Sequence, residues 1–187
     1  MEKFKVTRSP LPGLLVIEPH AFADDRGFFM ETYNRDAFSA LGLNLTFVQD
    51  NHSRSKKGVV RGMHYQLAAA AMGKLVSCSH GAVFDVGLDL RKGSPTFGQW
   101  YGERLSGADH KMLYLPPGFA HGFMALEDDS DVLYKCTNVW SPAHERAIVW
   151  NDPAVGIKWP LGQAIVNGKD SQAPLLKDAE TDFVFRS

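Results

Sequence analysis

The stretch from Arg61 to Val76 sets a histidine, an arginine and a lysine among apolar neighbours, as Arg61-Gly62-Met63-His64-Tyr65-Gln66 and then Gly73-Lys74-Leu75-Val76. Imidazole can be base or acid near neutral pH, with an ordinary pKa of about 6.5, so His64 is the first candidate for proton transfer. Arg61 is a planar cation suited to phosphate or carboxylate, and Lys74 a point charge suited to one developing oxyanion. A base with two cations implies an anionic substrate that loses a proton. The alternative is a half-exposed histidine on a strand, flanked by cations whose stems lie along apolar surface.

Other residues could join this chemistry. Phe84, Val86, Leu88 and Leu90 share one face of a strand by period-2 alternation, which leaves Asp85, Gly87 and Asp89 on the other. Those carboxylates either face solvent or line a barrel interior and orient histidines or cations. Pro116-Pro117-Gly118-Phe119-Ala120-His121-Gly122-Phe123 predicts a rigid turn that presents one imidazole. Tyr134 alternates with Val132 and Cys136, so its phenol points to an apolar side and needs a partner there. The end of the chain adds Trp140, Glu145, Trp150, Trp159 and the pair Lys169-Asp170.

The elements that must position these groups read as short strands punctuated by Gly and Pro, the pattern of an all-β barrel or sandwich. Leu14 to Pro19, Phe97 to Leu105 and Lys111 to Leu115 are predicted strands, and Ser79-His80-Gly81-Ala82 reads as a hairpin connection. Asp24-Asp25-Arg26-Gly27 marks a turn before an apolar strand that ends at Glu31. Gln49-Asp50-Asn51-His52-Ser53 is a polar cluster of the kind that usually forms a loop. One short helix is expected over 35–41, with Asn34 as its N-cap and Gly42 as its left-handed stop.

Composition bounds the function. A chain of 187 residues supports one well-buried domain, expected over 1–187. With 20 Lys plus Arg against 21 Asp plus Glu, it has no basic excess of the kind that binds nucleic acid. The apolar run at 14–17 is too short for a signal or membrane segment, so a cytoplasmic protein with no membrane partner is expected. Cys78 and Cys136 form no CxxC pair and read as reduced thiols. Pro116, Gly118 and His121 resemble the second motif of the cupin superfamily, whose members often hold a metal. The first motif would need two histidines one residue apart and a nearby carboxylate, whereas this chain has His64-Tyr65-Gln66 and no carboxylate before Lys74. No metal and no other cofactor is expected.

Taken in series, Asp25 to Glu31, Gln49 to Ser53, Arg61 to Gln66, Gly73 to Val76, Val83 to Val86, Pro116 to Phe123 and Leu133-Tyr134-Lys135 resemble the dTDP-4-dehydrorhamnose 3,5-epimerase family. The likeness runs in one order from about Val16 to Leu176. It implies a metal-free, cupin-like β-barrel or jelly roll with a few short peripheral helices, a homodimer acting on a dTDP-linked 4-keto-6-deoxy sugar in rhamnose biosynthesis. It places His64 on the general base, Asp170 on the carboxylate that orients it, Tyr134 on the general acid, and Lys74 beside the sugar keto oxygen. Arg26, Glu31, Gln49, Asp50, Asn51 and Arg61 fall on substrate-contacting positions, as do His121, Glu145 and Lys169. Asp85 would support His121, and Trp140 would stack on thymine.

The chemistry fits the residue types. A ketone at carbon 4 acidifies the hydrogens on carbons 3 and 5, and a donor at the resulting enolate oxygen can supply ~3 kcal/mol. Inversion needs one group to remove a proton and another to deliver one to the opposite face. The chain departs from the family pattern at Met72, in the alanine run Ala68 to Ala71, at Trp140 where tyrosine is common, and at Asn167-Gly168. Trp140 bears on whether one carbon or both are epimerised. Rival readings are a single-carbon deoxysugar epimerase, a non-catalytic nucleotide-sugar binding module, and a metal-dependent cupin enzyme with added ligands.

Overall fold

The computed structural model describes residues 3–186. In chain order it contains β1 (Phe4–Arg8), β2 (Leu15–Pro19), β3 (Phe22–Asp24), β4 (Gly27–Phe29), α1 (Arg35–Ala40), β5 (Gln49–Ser55), β6 (Val60–Gln66) and β7 (Lys74–His80). There follow β8 (Ala82–Asp89), β9 (Trp100–Ser106), β10 (Met112–Leu115), β11 (Phe119–Ala125), β12 (Ser130–Cys136), β13 (Glu145–Ala147) and α2 (Gly168–Ser171). A six-stranded sheet in the order β1-β2-β10-β7-β12-β5 faces a five-stranded sheet in the order β13-β6-β11-β8-β9, and β3 and β4 form a separate hairpin. The two facing antiparallel sheets are a cupin-like jelly roll.

Alternation decides what each sheet turns inward. Val76 and Cys78 of β7, Val132 of β12 and Leu113 and Leu115 of β10 meet Val83 of β8 and Phe119 and Phe123 of β11 in the core between the sheets. On β8 the inward face is the one carrying Asp85 and Gly87: a side chain added at Gly87 would strike Leu14 and Leu115 within 3 Å. The apolar face of Val86, Leu88 and Leu90 is turned outward and sealed by C-terminal residues, among them Trp159 and Leu176. Both faces of this interior strand are buried because two separate clusters cover them, through Val83 on one side and Val86, Leu88 and Leu90 on the other. A third cluster packs α1, through Phe38, against the outer side of the six-stranded sheet.

Helix α1 is capped as its sequence predicts: Ala37 N–H donates to Asn34 Oδ1 at 3.0 Å, and Gly42 follows at φ +80°. Two expectations are corrected. Ser79 to Ala82 is not a hairpin, because β7 pairs with β10 and β12 while β8 pairs with β9 and β11. With both edges of each strand taken, the chain crosses at Gly81 (φ +68°) from one sheet to the other. Gln49 to Ser53 is not a loop either: these residues lie in β5 and pair in register with β12. The strand is polar because it forms a sheet edge whose inward side faces a cavity instead of the apolar core. Cys78 and Cys136 are free thiols. Among the described residues no helix is long and apolar enough to cross a membrane.

Candidate active site

A cavity of about 480 Å³ opens at one end of the barrel. Its walls come from both sheets, with Gln49, Asn51, Lys74 and Tyr134 from the six-stranded sheet and Arg61, His64, His121 and Glu145 from the five-stranded one.

Arg61 and His64 are three residues apart, so a regular strand would turn them to opposite faces. Both line the cavity because β6 is irregular: opposite β11, His121 pairs with His64 and Phe123 with Arg61, so three steps on β6 match two on β11. The irregularity falls at Gly62 (φ +133°), where a Cβ would sit 2.5 Å from the Cα of Gly122. Only glycine permits that approach. It also leaves the Gly62 N–H free to donate to Asp170 Oδ2 at 3.2 Å.

The other oxygen of Asp170 lies 2.7 Å from His64 Nε2. Asp170 is fully buried, on the short helix α2, whose start is capped by Asn167 Oδ1 accepting from the Asp170 N–H at 2.7 Å. Burial pushes this carboxyl up, but the contact with His64, its charge and the Gly62 N–H outweigh burial and hold it below the ordinary carboxylate value. An ionised carboxylate only accepts, so His64 Nε2 carries the hydrogen and Nδ1 is left as the basic nitrogen. The second imidazole repeats the arrangement: His121 Nε2 meets Asp85 Oδ1 at 2.7 Å, both residues buried. Burial pushes the His121 imidazole below its ordinary value, against the opposing pull of Asp85.

Across the barrel, Lys74 sits with its ammonium 5.7 Å from the centre of the Tyr134 ring. Burial lowers the Lys74 ammonium and raises the Tyr134 phenol. Tyr134 shares the inward side of β12 with Val132, as its alternation predicts, and its ring packs on the apolar core while lining the cavity. Arg61 is held by Ser55 Oγ, 3.1 Å from Nε, and by the Arg54 carbonyl, 3.3 Å from Nη2. Arg54 is fixed in turn by a two-pronged contact with the buried Asp131 at 2.9 and 2.7 Å. At the mouth, Trp140 is 54% exposed beside Glu145, which Lys169 Nζ contacts. Burial pushes the Glu145 carboxyl up, and hydrogen bonds from Lys169 and Trp140 outweigh it and leave the group below its ordinary value.

His64, Asp170, Tyr134, Lys74, Gln49, Asn51, Arg61, His121, Asp85, Trp140, Glu145 and Lys169 are therefore brought together. Three others are not. Arg26 is exposed and paired with Asp24 at 2.6 Å on the β3–β4 hairpin, Glu31 pairs with Lys3 at 2.7 Å, and Asp50 points to the outer side of β5 and pairs with Lys135 at 3.0 Å. Ser53 and Gln66, which residue type alone did not single out, also line the cavity. Ser53 falls on the inward side of β5 with Gln49 and Asn51, a signal visible only once the cluster is known to be a strand. Among the described residues no group of three or more His, Cys, Asp or Glu side chains is placed to hold a metal ion.

Fold and site together define a cupin-like barrel enzyme built for proton transfer, with a carboxylate-backed histidine facing a tyrosine and a lysine. Residues 8–178 match the family profile described as dTDP-4-dehydrorhamnose 3,5-epimerase. A protein of that name from Pseudomonas aeruginosa is 53% identical over 178 residues, which are 94% of this chain and 98% of the relative. One from Salmonella typhimurium is 52% identical over 176 residues, 93% of this chain and 96% of the relative. The crystal structure of dTDP-6-deoxy-D-glucose-3,5-epimerase from Legionella pneumophila Philadelphia 1, in complex with dTDP-4-keto-L-rhamnose, superposes with a TM-score of 0.90 at 46% identity and covers 94% of each chain. The chain belongs to the dTDP-4-dehydrorhamnose 3,5-epimerase family and is an isomerase.

Proposed function

We propose that this protein epimerises carbons 3 and 5 of dTDP-4-dehydro-6-deoxy-D-glucose, giving dTDP-4-dehydro-L-rhamnose in dTDP-rhamnose biosynthesis. The observation that carries the reading is that His64 and Tyr134 stand on facing sheets with Lys74 beside the tyrosine. Inversion at a carbon needs a base on one side of the sugar ring and an acid on the other, and facing sheets supply that separation.

His64 removes the proton from carbon 3 or 5 through Nδ1. Asp170 fixes the tautomer and favours the imidazolium that forms. Lys74 stabilises the enolate oxygen left by the 4-ketone, a place where one donor is worth ~3 kcal/mol. Tyr134 delivers a proton to the opposite face. Arg61 offers its planar cation to the diphosphate, Gln49, Asn51, His121 with its support Asp85, Glu145 and Lys169 contact the substrate, and Trp140 stacks on thymine.

Arg26, Glu31 and Asp50 contribute only through a second copy of the chain in this reading. The hairpin that carries Arg26 exposes Phe22, Phe28 and Phe29, the last at 67%, an apolar surface that a homodimer would cover. We place the enzyme in the cytoplasm, as one domain over residues 1–187 that needs no cofactor.

Incubation with the 4-keto-6-deoxyglucose nucleotide in deuterated water tests the reaction. Deuterium at both carbons with inverted product is the expected result. Label at carbon 3 alone would make the protein a single-carbon epimerase, and no label at either would leave only a binding module.

A further inference from the structure

Gln66 occupies the place where a metal-binding cupin would put its second histidine, and it is 5% exposed at the cavity wall. Its side chain grips the backbone on both sides of Trp140. Gln66 Nε2 donates to the Val139 carbonyl at 3.3 Å and to the Ala70 carbonyl at 2.7 Å, and Gln66 Oε1 accepts from the Ser141 N–H at 2.6 Å. Between Val139 and Ser141, the Trp140 N–H donates to Gln49 Oε1 at 2.8 Å. Three consecutive residues are thus pinned through their main chain by side chains of β5 and β6.

The segment has no ladder of its own at this point, since β12 ends at Cys136 and β13 begins at Glu145. Without Gln66 the Val139 carbonyl and the Ser141 amide would have to turn to water, and the Trp140 backbone would keep only its contact to Gln49, leaving the side-chain hydrogen bond to Glu145 to orient the ring. Both donor hydrogens of the Gln66 amide and one acceptor site are engaged, so the group is committed to this task. Gln66 is two residues from His64 on the same strand. It therefore ties the base and the aromatic ring to one rigid element.

We propose that Gln66 is a positioning residue that holds the Trp140 ring in register with His64 and so sets the affinity for the nucleoside diphosphate end of the substrate, without touching the reacting carbons. This rests on the reading of Trp140 as the nucleobase platform.

A double-mutant cycle on the full chain tests it, with dTDP as the probe for binding and the 4-keto-6-deoxyglucose nucleotide for turnover. Trp140→Ala should weaken dTDP binding about 5- to 150-fold, the range for loss of one base stack. Gln66→Met should weaken it about tenfold and raise KM with kcat within about twofold, because a loosened stack removes binding shared by ground and transition states. In the double variant the Gln66 change should add nothing. Should Gln66→Met fail to fold, Gln66→Asn keeps the amide but withdraws it by one methylene, and the same cycle is run with it. If Trp140→Ala weakens binding and the Gln66 variants do not, or if the two effects multiply independently, the positioning role is overturned while the platform stands. If Trp140→Ala leaves dTDP affinity unchanged, the platform reading itself fails and takes the positioning role with it.

Discussion

His64 and Asp170 are 106 residues apart in the chain and 2.7 Å apart in the fold. The second oxygen of the same carboxylate holds the Gly62 N–H at 3.2 Å, so one buried group fixes both the imidazole and the irregular strand that carries it.

Asp170→Asn should lower kcat by about 10²-fold or more while leaving the protein folded, because an amide can present its N–H to His64 and favour the wrong tautomer. A stability consequence follows from the depressed carboxyl. A carboxylate held below its unfolded value of 3.8 contributes stability above that pH, and the contribution is lost as pH falls through the folded value. Asp170→Asn should therefore be less stable than the parent at pH 7, with the gap closing in acid below 3.8. Denaturant midpoints measured across pH check this, and a gap that stays constant into acid would count against a charge-based contribution.

Exchange and inversion separate the roles of His64 and Tyr134. His64→Ala should abolish solvent exchange and epimerisation together, since no enolate forms. Tyr134→Phe keeps the base and Lys74, so deuterium exchange with retention should persist while inversion falls by about 10²-fold or more. NMR of the sugar in deuterated water reads the ratio. A ratio unchanged from the parent would reduce Tyr134 to a packing residue.

Lys74→Met should trade activity for stability. Burial lowers the ammonium's pKa, so desolvation opposes its charged form, and the carboxylates of Asp85 and Glu145 and the Tyr134 ring at 5.7 Å offset this only in part. The methionine variant should lose about 10²- to 10³-fold in kcat. Its thermal midpoint should rise. A lower midpoint with activity retained would mean that Lys74 serves packing, and not the enolate.

The nature of the chemistry was legible in the residues themselves. Alternation placed Tyr134 with Val132 and Cys136, and the structure turns all three inward. The cap at Asn34 and the stop at Gly42 are local events between neighbours in sequence, and they stand as read. Asp85 and Asp89 shared a face by period alone, but whether that face was inside or outside depended on what covers Leu88 and Leu90, and the cover arrives from the C-terminal part of the chain.

Tertiary structure decided what local patterns do not encode. Gln49 to Ser55 is polar enough to read as a loop, and becomes a strand because β12 offers it an edge and the cavity offers its side chains a place to face. Arg61 and His64 converge only because a register shift against β11 breaks the alternation. Arg26, Glu31 and Asp50 have the residue types the resemblance asks for, yet in one chain they pair with Asp24, Lys3 and Lys135 outside the cavity. Local periodicity reports the direction of a side chain relative to its own strand, whereas a site is made of contacts between strands distant in sequence. Which of those strands meet is fixed by the burial and hydrogen bonding of the whole chain.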